Sequence, residues 1–129
     1  MSEKKILVVE DEPELSEVFR LILIEENYQL IFASDGQTAL ELASTHRPDL
    51  ILLDIKMPLM DGWAFLEEYS KTDQVQSPVL VVSAGTSNHT RQRAAEFKVA
   101  GIIDKPFQLD DFLGQIYTQL FPSPPNQLF

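Results

Sequence analysis

A chain of 129 residues, 44% hydrophobic and 23% charged, has the make-up of one folded domain with a substantial core. Its net charge of −10 leaves little basic surface to displace the counterions of nucleic acid or to hold an anionic membrane, so neither is an expected partner. The absence of cysteine excludes disulfides and thiolate chemistry, and no apolar stretch at the N-terminus is long enough for a signal peptide or a span, which makes a cytoplasmic setting the expectation.

The first apolar run, ILVV at residues 6–9, reads as a strand covered on both faces, and Glu10, Asp11 and Glu12 follow it directly. In residues 13–28, PELSEVFRLILIEENY, Pro13 suits a first helical turn, and Leu15, Val18, Phe19 and Ile22 repeat at helical spacing. Glu12 and Glu14 are acids of the kind favoured at a helix N-terminus. A shorter run at 30–33 ends in Ser34-Asp35-Gly36, and residues 36–46 form a helix whose Ala39, Leu40, Leu42 and Ala43 can face a sheet.

The third run, LILL at 50–53, ends on a carboxylate, Asp54, with Lys56, Pro58 and an Asp61-Gly62 turn beyond it. Residues 62–69 carry Trp63, Phe65, Leu66 and Tyr69 at helical spacing. A fourth strand at 79–82 leads into Ser83-Ala84-Gly85, and residues 90–99 make a more polar helix with Ala94, Ala95 and Phe97 as its apolar members. The short pair at 102–103 precedes Lys105-Pro106, a constrained turn, cis-compatible, that aims the lysine inward. Leu109, Phe112, Leu113, Ile116 and Leu120 mark a last helix at 109–120. Residues 1–121 are therefore read as the domain, and 122–129, with three of the eight prolines, as a flexible tail or cut linker.

Five strands alternating with five helices predict an α/β fold, a doubly wound parallel sheet with helices on both faces. In such sheets the site forms beyond the C-terminal ends of the strands. The residues expected there are Glu10, Asp11 and Glu12 after the first strand, Asp54 after the third, Ser83 after the fourth and Lys105 after the fifth. Carboxylates crowded at about 4 Å repel by about 4 kcal/mol per pair at an effective dielectric of about 20. Either some stay protonated or a hard cation neutralises them, and an all-oxygen ligand set points to Mg²⁺ or Mn²⁺. Lys105 and the Ser83 hydroxyl can then contact a phosphoryl group, and Asp54, in the middle, is the natural nucleophile for an acyl phosphate.

VVEDEPEL, LLDIKMPLMDG, VVSAG and IDKPF, in this order, resemble the receiver domain of response regulators in two-component signalling, over roughly residues 4–121. The chemotaxis-type single-domain receivers are the most similar in architecture. The resemblance implies a flavodoxin-like fold with strand order 2-1-3-4-5. It implies phosphorylation of Asp54 from the phosphohistidine of a sensor histidine kinase or histidine phosphotransfer protein, docked near Leu15 and Val18 of the first helix. Asp11 and Asp54 would bind Mg²⁺ with the Lys56 carbonyl, Glu10 would assist through water, and Ser83 and Lys105 would contact the phosphoryl group. The output would be an altered surface for a downstream protein target that the sequence does not name.

The chain departs from the family pattern at three places. Ile102 stands where an aromatic switch residue is usual, Lys98 stands where a glycine with positive φ is favoured, and Glu10 replaces the commoner Asp. Other readings stand beside this one. Asp54 alone could cap a turn, Ser83 could be a small polar strand end, and Lys105 a solvated loop lysine; His46 and His89 read as surface residues and Trp63 as packing. An Asp-nucleophile phosphatase would want an acid where Lys56 stands, and a flavin carrier would want a phosphate loop where EDEPE stands. A degenerate receiver serving as a dimerisation module is the remaining alternative.

Overall fold

A computed structural model describes residues 3–55, 61–72, 75–84 and 88–122. Strands β1 (Lys5–Val9), β2 (Gln29–Ala33), β3 (Leu50–Asp54), β4 (Val79–Ala84) and β5 (Gly101–Lys105) alternate with helices α1 (Pro13–Ile24), α2 (Gly36–His46), α3 (Gly62–Ser70), α4 (Asn88–Glu96) and α5 (Leu109–Leu120). All strand pairs are parallel and the order is β2-β1-β3-β4-β5. The sheet alternation and strand order expected above are both observed. The Pro-rich tail lies outside the described residues, apart from the exposed Pro122.

Side chains alternate across a strand, so each buried run feeds two cores. Leu7, Val9, Ile51, Leu53, Val79 and Val81 point to one face and pack with Ala39 and Ala43 of α2 and Phe65, Leu66 and Tyr69 of α3. Ile6, Val8, Leu50, Leu52, Leu80, Val82 and Ile103 point to the other and meet Phe19 and Leu23 of α1 and Phe112, Ile116 and Leu120 of α5. Burial of each such Leu, Ile or Phe contributes about 2 kcal/mol, which is why β1 is wholly apolar after Lys5, β3 before Asp54 and β4 before Ser83.

Local chemistry sets the helix ends. Pro13 opens α1, the Asp35 carboxylate accepts the Thr38 N–H at 2.8 Å to start α2, and Asp61 accepts the Ala64 N–H at 2.9 Å to start α3. Helix α1 stops at Ile24 rather than running on to residue 28, because Asn27 turns to φ 64° and sends Tyr28 into the core. Helix α4 spans 88–96 rather than 90–99. Its C-terminus closes with the Val99 N–H on Ala94 O (3.2 Å) and the Lys98 N–H on Ala95 O (3.1 Å), with Lys98 left-handed at φ 57°. That paired closure satisfies the last carbonyls of the helix and normally takes glycine. Among the described residues, no helix is long and apolar enough to cross a membrane.

Candidate functional site

The polar residues at the strand ends obey the same alternation as the core beneath them. Glu10 continues the parity of Ile6 and Val8, Asp54 that of Leu50 and Leu52, and Lys105 that of Ile103, so all three rise on the α1/α5 side of the sheet. Asp54 and Lys105 are the last residues of β3 and β5 rather than loop residues. Ser83 has the opposite parity, one position beyond Val82, the register partner of Asp54.

The acidic loop is built onto the sheet. The Glu10 N–H donates to Ala33 O at 2.9 Å, extending the β1–β2 ladder by one residue. The Glu10 carbonyl accepts the Ser16 hydroxyl at 3.4 Å, and its Oε2 accepts the Glu12 N–H at 3.2 Å. The first turn of α1 is thereby bonded to Glu10 on both its main chain and its side chain. Glu10 and Asp54 are buried, at 3% and 6% exposed, and Asp11 is half-buried. One oxygen from each of Glu10, Asp11 and Asp54 lies within 4.8 Å of the others.

Lys105 reaches into this group from the far strand. Its Nζ stands 3.7 Å from Glu10 Oε1 and 3.9 Å from Asp54 Oδ1, so it straddles the two carboxylates rather than closing on one. The peptide bond from Lys105 to Pro106 is cis. Ser83 is 5% exposed, and its hydroxyl donates to Ala84 O at 3.3 Å. Lys56, expected to offer its carbonyl to a metal, lies outside the described residues, as does Gly85. Ile102 is half-buried against the core of the α2/α3 face.

Burial pushes the Glu10 carboxyl up to about 8, and the neighbouring Asp54 charge adds to the rise; the Glu12 N–H and Lys105 oppose it. Buried Glu10 Oε1 has no hydrogen-bond partner among the described residues. An unsatisfied carboxylate oxygen amid other carboxylates is costly, and a hard divalent cation removes both the deficit and the repulsion. Glu10, Asp11 and Asp54 thus fit Mg²⁺ or Mn²⁺: oxygen donors only, three carboxylates together, one oxygen without a hydrogen-bond partner.

Two residues were not assigned a role from sequence. Gly62, read there as part of a turn, donates its N–H to Ile55 O at 2.9 Å and lies so close to β3 that a Cβ would meet Ile55 Cα at 2.7 Å and Asp54 O at 2.9 Å. The Asp-Gly pair carried that signal. Phe107, two residues past Lys105, stacks with Phe19 and Phe112, a contact that no local pattern announces.

A family model described as the response regulator receiver domain matches residues 6–117. The transcriptional regulatory protein KdpE of Mycobacterium tuberculosis is 34% identical over 111 residues, 86% of this chain and 48% of that protein. The response regulator ArlR of Staphylococcus aureus is 33% identical over 125 residues, 96% of this chain and 56% of the relative. The chain therefore spans about half the length of the curated relatives it matches. Among solved structures, the chemotaxis response regulator CheY4 of Vibrio cholerae superposes with a TM-score of 0.84 at 28% identity, covering 92% of this chain and all of that one.

Proposed function

Because the chain belongs to the response regulator receiver family, we propose that it is a phospho-accepting switch in which Asp54 takes a phosphoryl group from the phosphohistidine of a sensor histidine kinase or histidine phosphotransfer protein. Receiver domains of this family are phosphoryl-accepting signalling modules rather than classical enzymes. The single observation that carries the reading for these residues is the placement of Lys105 between Glu10 and Asp54, beside a three-carboxylate group.

One Asp54 oxygen attacks phosphorus; the P–O bond forms as the P–N bond of the phosphohistidine breaks, and the imidazole leaves with the electron pair. Charge on the transferring phosphoryl oxygens is met by the Lys105 ammonium and the Ser83 hydroxyl, which leaves its bond to Ala84 O to donate to the phosphoryl group. Glu10, Asp11, Asp54 and the Lys56 carbonyl would hold Mg²⁺, which supplies charge neutralisation and coordination to a phosphoryl oxygen. Burial of Asp54 keeps competing water at a distance.

The switch is a population shift: the phosphoryl group favours the arrangement in which Ser83 engages it, and α4 follows. Helix α4 suits that part, with Ala94 as its one buried residue while every other helix has at least two. The phosphodonor protein docks along α1, where Val18 is 43% exposed and Leu15 half-buried. Output passes to a downstream protein by contact, in the cytoplasm, without direct binding of this domain to nucleic acid or membrane. The test is incubation with Mg²⁺ and acetyl phosphate followed by intact-mass analysis. The reading predicts a gain of one phosphoryl group, lost in Asp54→Asn; sustained turnover of acetyl phosphate with no phosphoprotein would contradict it.

A further inference from the structure

The lysine of the site sits at the mouth of a loop with little to hold it. Of residues 106–108, Pro106 and Gln108 are exposed and only Phe107 turns inward. Among the described residues no side-chain hydrogen bond or ion pair anchors these three, and Gln108 starts α5 without a side-chain cap. The Gln108 carbonyl accepts the Phe112 N–H at 2.9 Å, which begins the helix but leaves the approach from Lys105 free.

Phe107 supplies the missing hold. Its ring lies 4.5 Å from that of Phe112 at 15° and 6.0 Å from that of Phe19 at 17°, and those two rings are 5.5 Å apart at 17°. Phe19 and Phe112 are 1% and 0% exposed, so Phe107 rests on rings fixed in the core. Phe19 belongs to α1, whose first turn is bonded to Glu10 through the Glu12 N–H and the Ser16 hydroxyl. The three-ring stack therefore ties the lysine loop to the helix that carries the acidic loop. Lys105 Nζ needs that tie, because at 3.7 Å and 3.9 Å a small displacement of its backbone makes it close on one carboxylate and desert the other.

We propose that Phe107 is a positioning residue, stacking the loop after β5 on Phe19 and Phe112 so that Lys105 stays poised between Glu10 and Asp54. The inference rests on the phosphoryl-transfer reading above. Misplacing a reacting group by about 1 Å costs up to about 100-fold in rate, and a loosened loop that still samples the right position costs less.

The experiment is a double-mutant cycle on the rate of phosphorylation by acetyl phosphate with Mg²⁺, run well below the measured Tm of each variant. Phe107→Ala is expected to slow phosphorylation about tenfold and Phe107→Leu by less than about threefold. In the Lys105→Met background Phe107→Ala should change the rate by less than about twofold, because the group it positions is gone. Within each background, Phe107→Ala should leave Mg²⁺ affinity within about twofold, since Phe107 packs on Phe19 and Phe112 rather than on the carboxylates. Equal losses from Phe107→Ala in both backgrounds, or a parallel collapse of Mg²⁺ affinity, would overturn the inference while leaving the proposed function standing. A wild-type chain that incorporates no phosphoryl group overturns both. Should Phe107→Ala fail to fold, Phe107→Val carries the same cycle.

Discussion

Replacing Glu10 by Gln removes one titrating group and almost no volume, and its consequence for stability follows from the site. The Glu10 carboxyl, 3% exposed, is raised from 4.5 to about 8, chiefly by burial and then by the Asp54 charge. Between these values the folded chain holds a proton that the unfolded chain has released. Metal-free stability should therefore fall as pH rises through this window. The contribution is fully present below about 4.5 and lost above about 8, with a slope of at most about 1.4 kcal/mol per pH unit and a total of at most about 5 kcal/mol. That is a large part of the 5–15 kcal/mol typical of a domain, on the order of a third or more. Urea unfolding of wild type and Glu10→Gln, in chelator, across about pH 5 to about pH 9, isolates the effect as the difference between two curves. The wild-type curve should fall relative to that of Glu10→Gln as pH rises, and Mg²⁺ should flatten the fall by favouring the ionised carboxylate. Parallel curves in chelator would refute the reasoning.

Three further outcomes are expected. Lys98→Gly should stabilise the chain by about 1 kcal/mol, seen as a Tm higher by about 3 °C, because Lys98 adopts φ 57° at a position that favours glycine. Gly62→Ala should cost about 2–3 kcal/mol in urea unfolding, because the added methyl would sit 2.7 Å from Ile55 Cα and 2.9 Å from Asp54 O. Lys56→Ala should change the half-life of the phosphorylated chain by about twofold or more while leaving phosphorylation itself intact, as read by intact mass over time; the reason is its position two residues beyond Asp54.

Much of this arrangement was legible before any coordinates. The unbroken runs ILVV and LILL announce strands buried on both faces, and their regular alternation with helical segments leaves a doubly wound parallel sheet as the natural solution. Because parity carries through a strand, Glu10, Asp54 and Lys105 had to emerge on one side once their strands were known, and they do. Other features depend on tertiary distances. Helix ends at Asn27 and Lys98 come from left-handed residues; the family resemblance marks the Lys98 position as one that favours positive φ, but local pattern shows neither turn, and the helical spacing in both segments runs past the observed C-termini. The rise of the Glu10 carboxyl needs its depth of burial, and the Phe19–Phe107–Phe112 stack joins residues from three separate segments. Strand order came from family resemblance rather than from pattern, and the sheet agrees with it.

The most direct test of the central claim is to locate the phosphoryl group by chemistry. After reaction with acetyl phosphate and Mg²⁺, borohydride reduces an aspartyl phosphate to homoserine, and peptide mass spectrometry reads where. The account predicts homoserine at position 54, dependent on Mg²⁺ and strongly reduced in Lys105→Met. Homoserine at another acid, or a phosphoryl group on serine, threonine or histidine with Asp54 untouched, would contradict it.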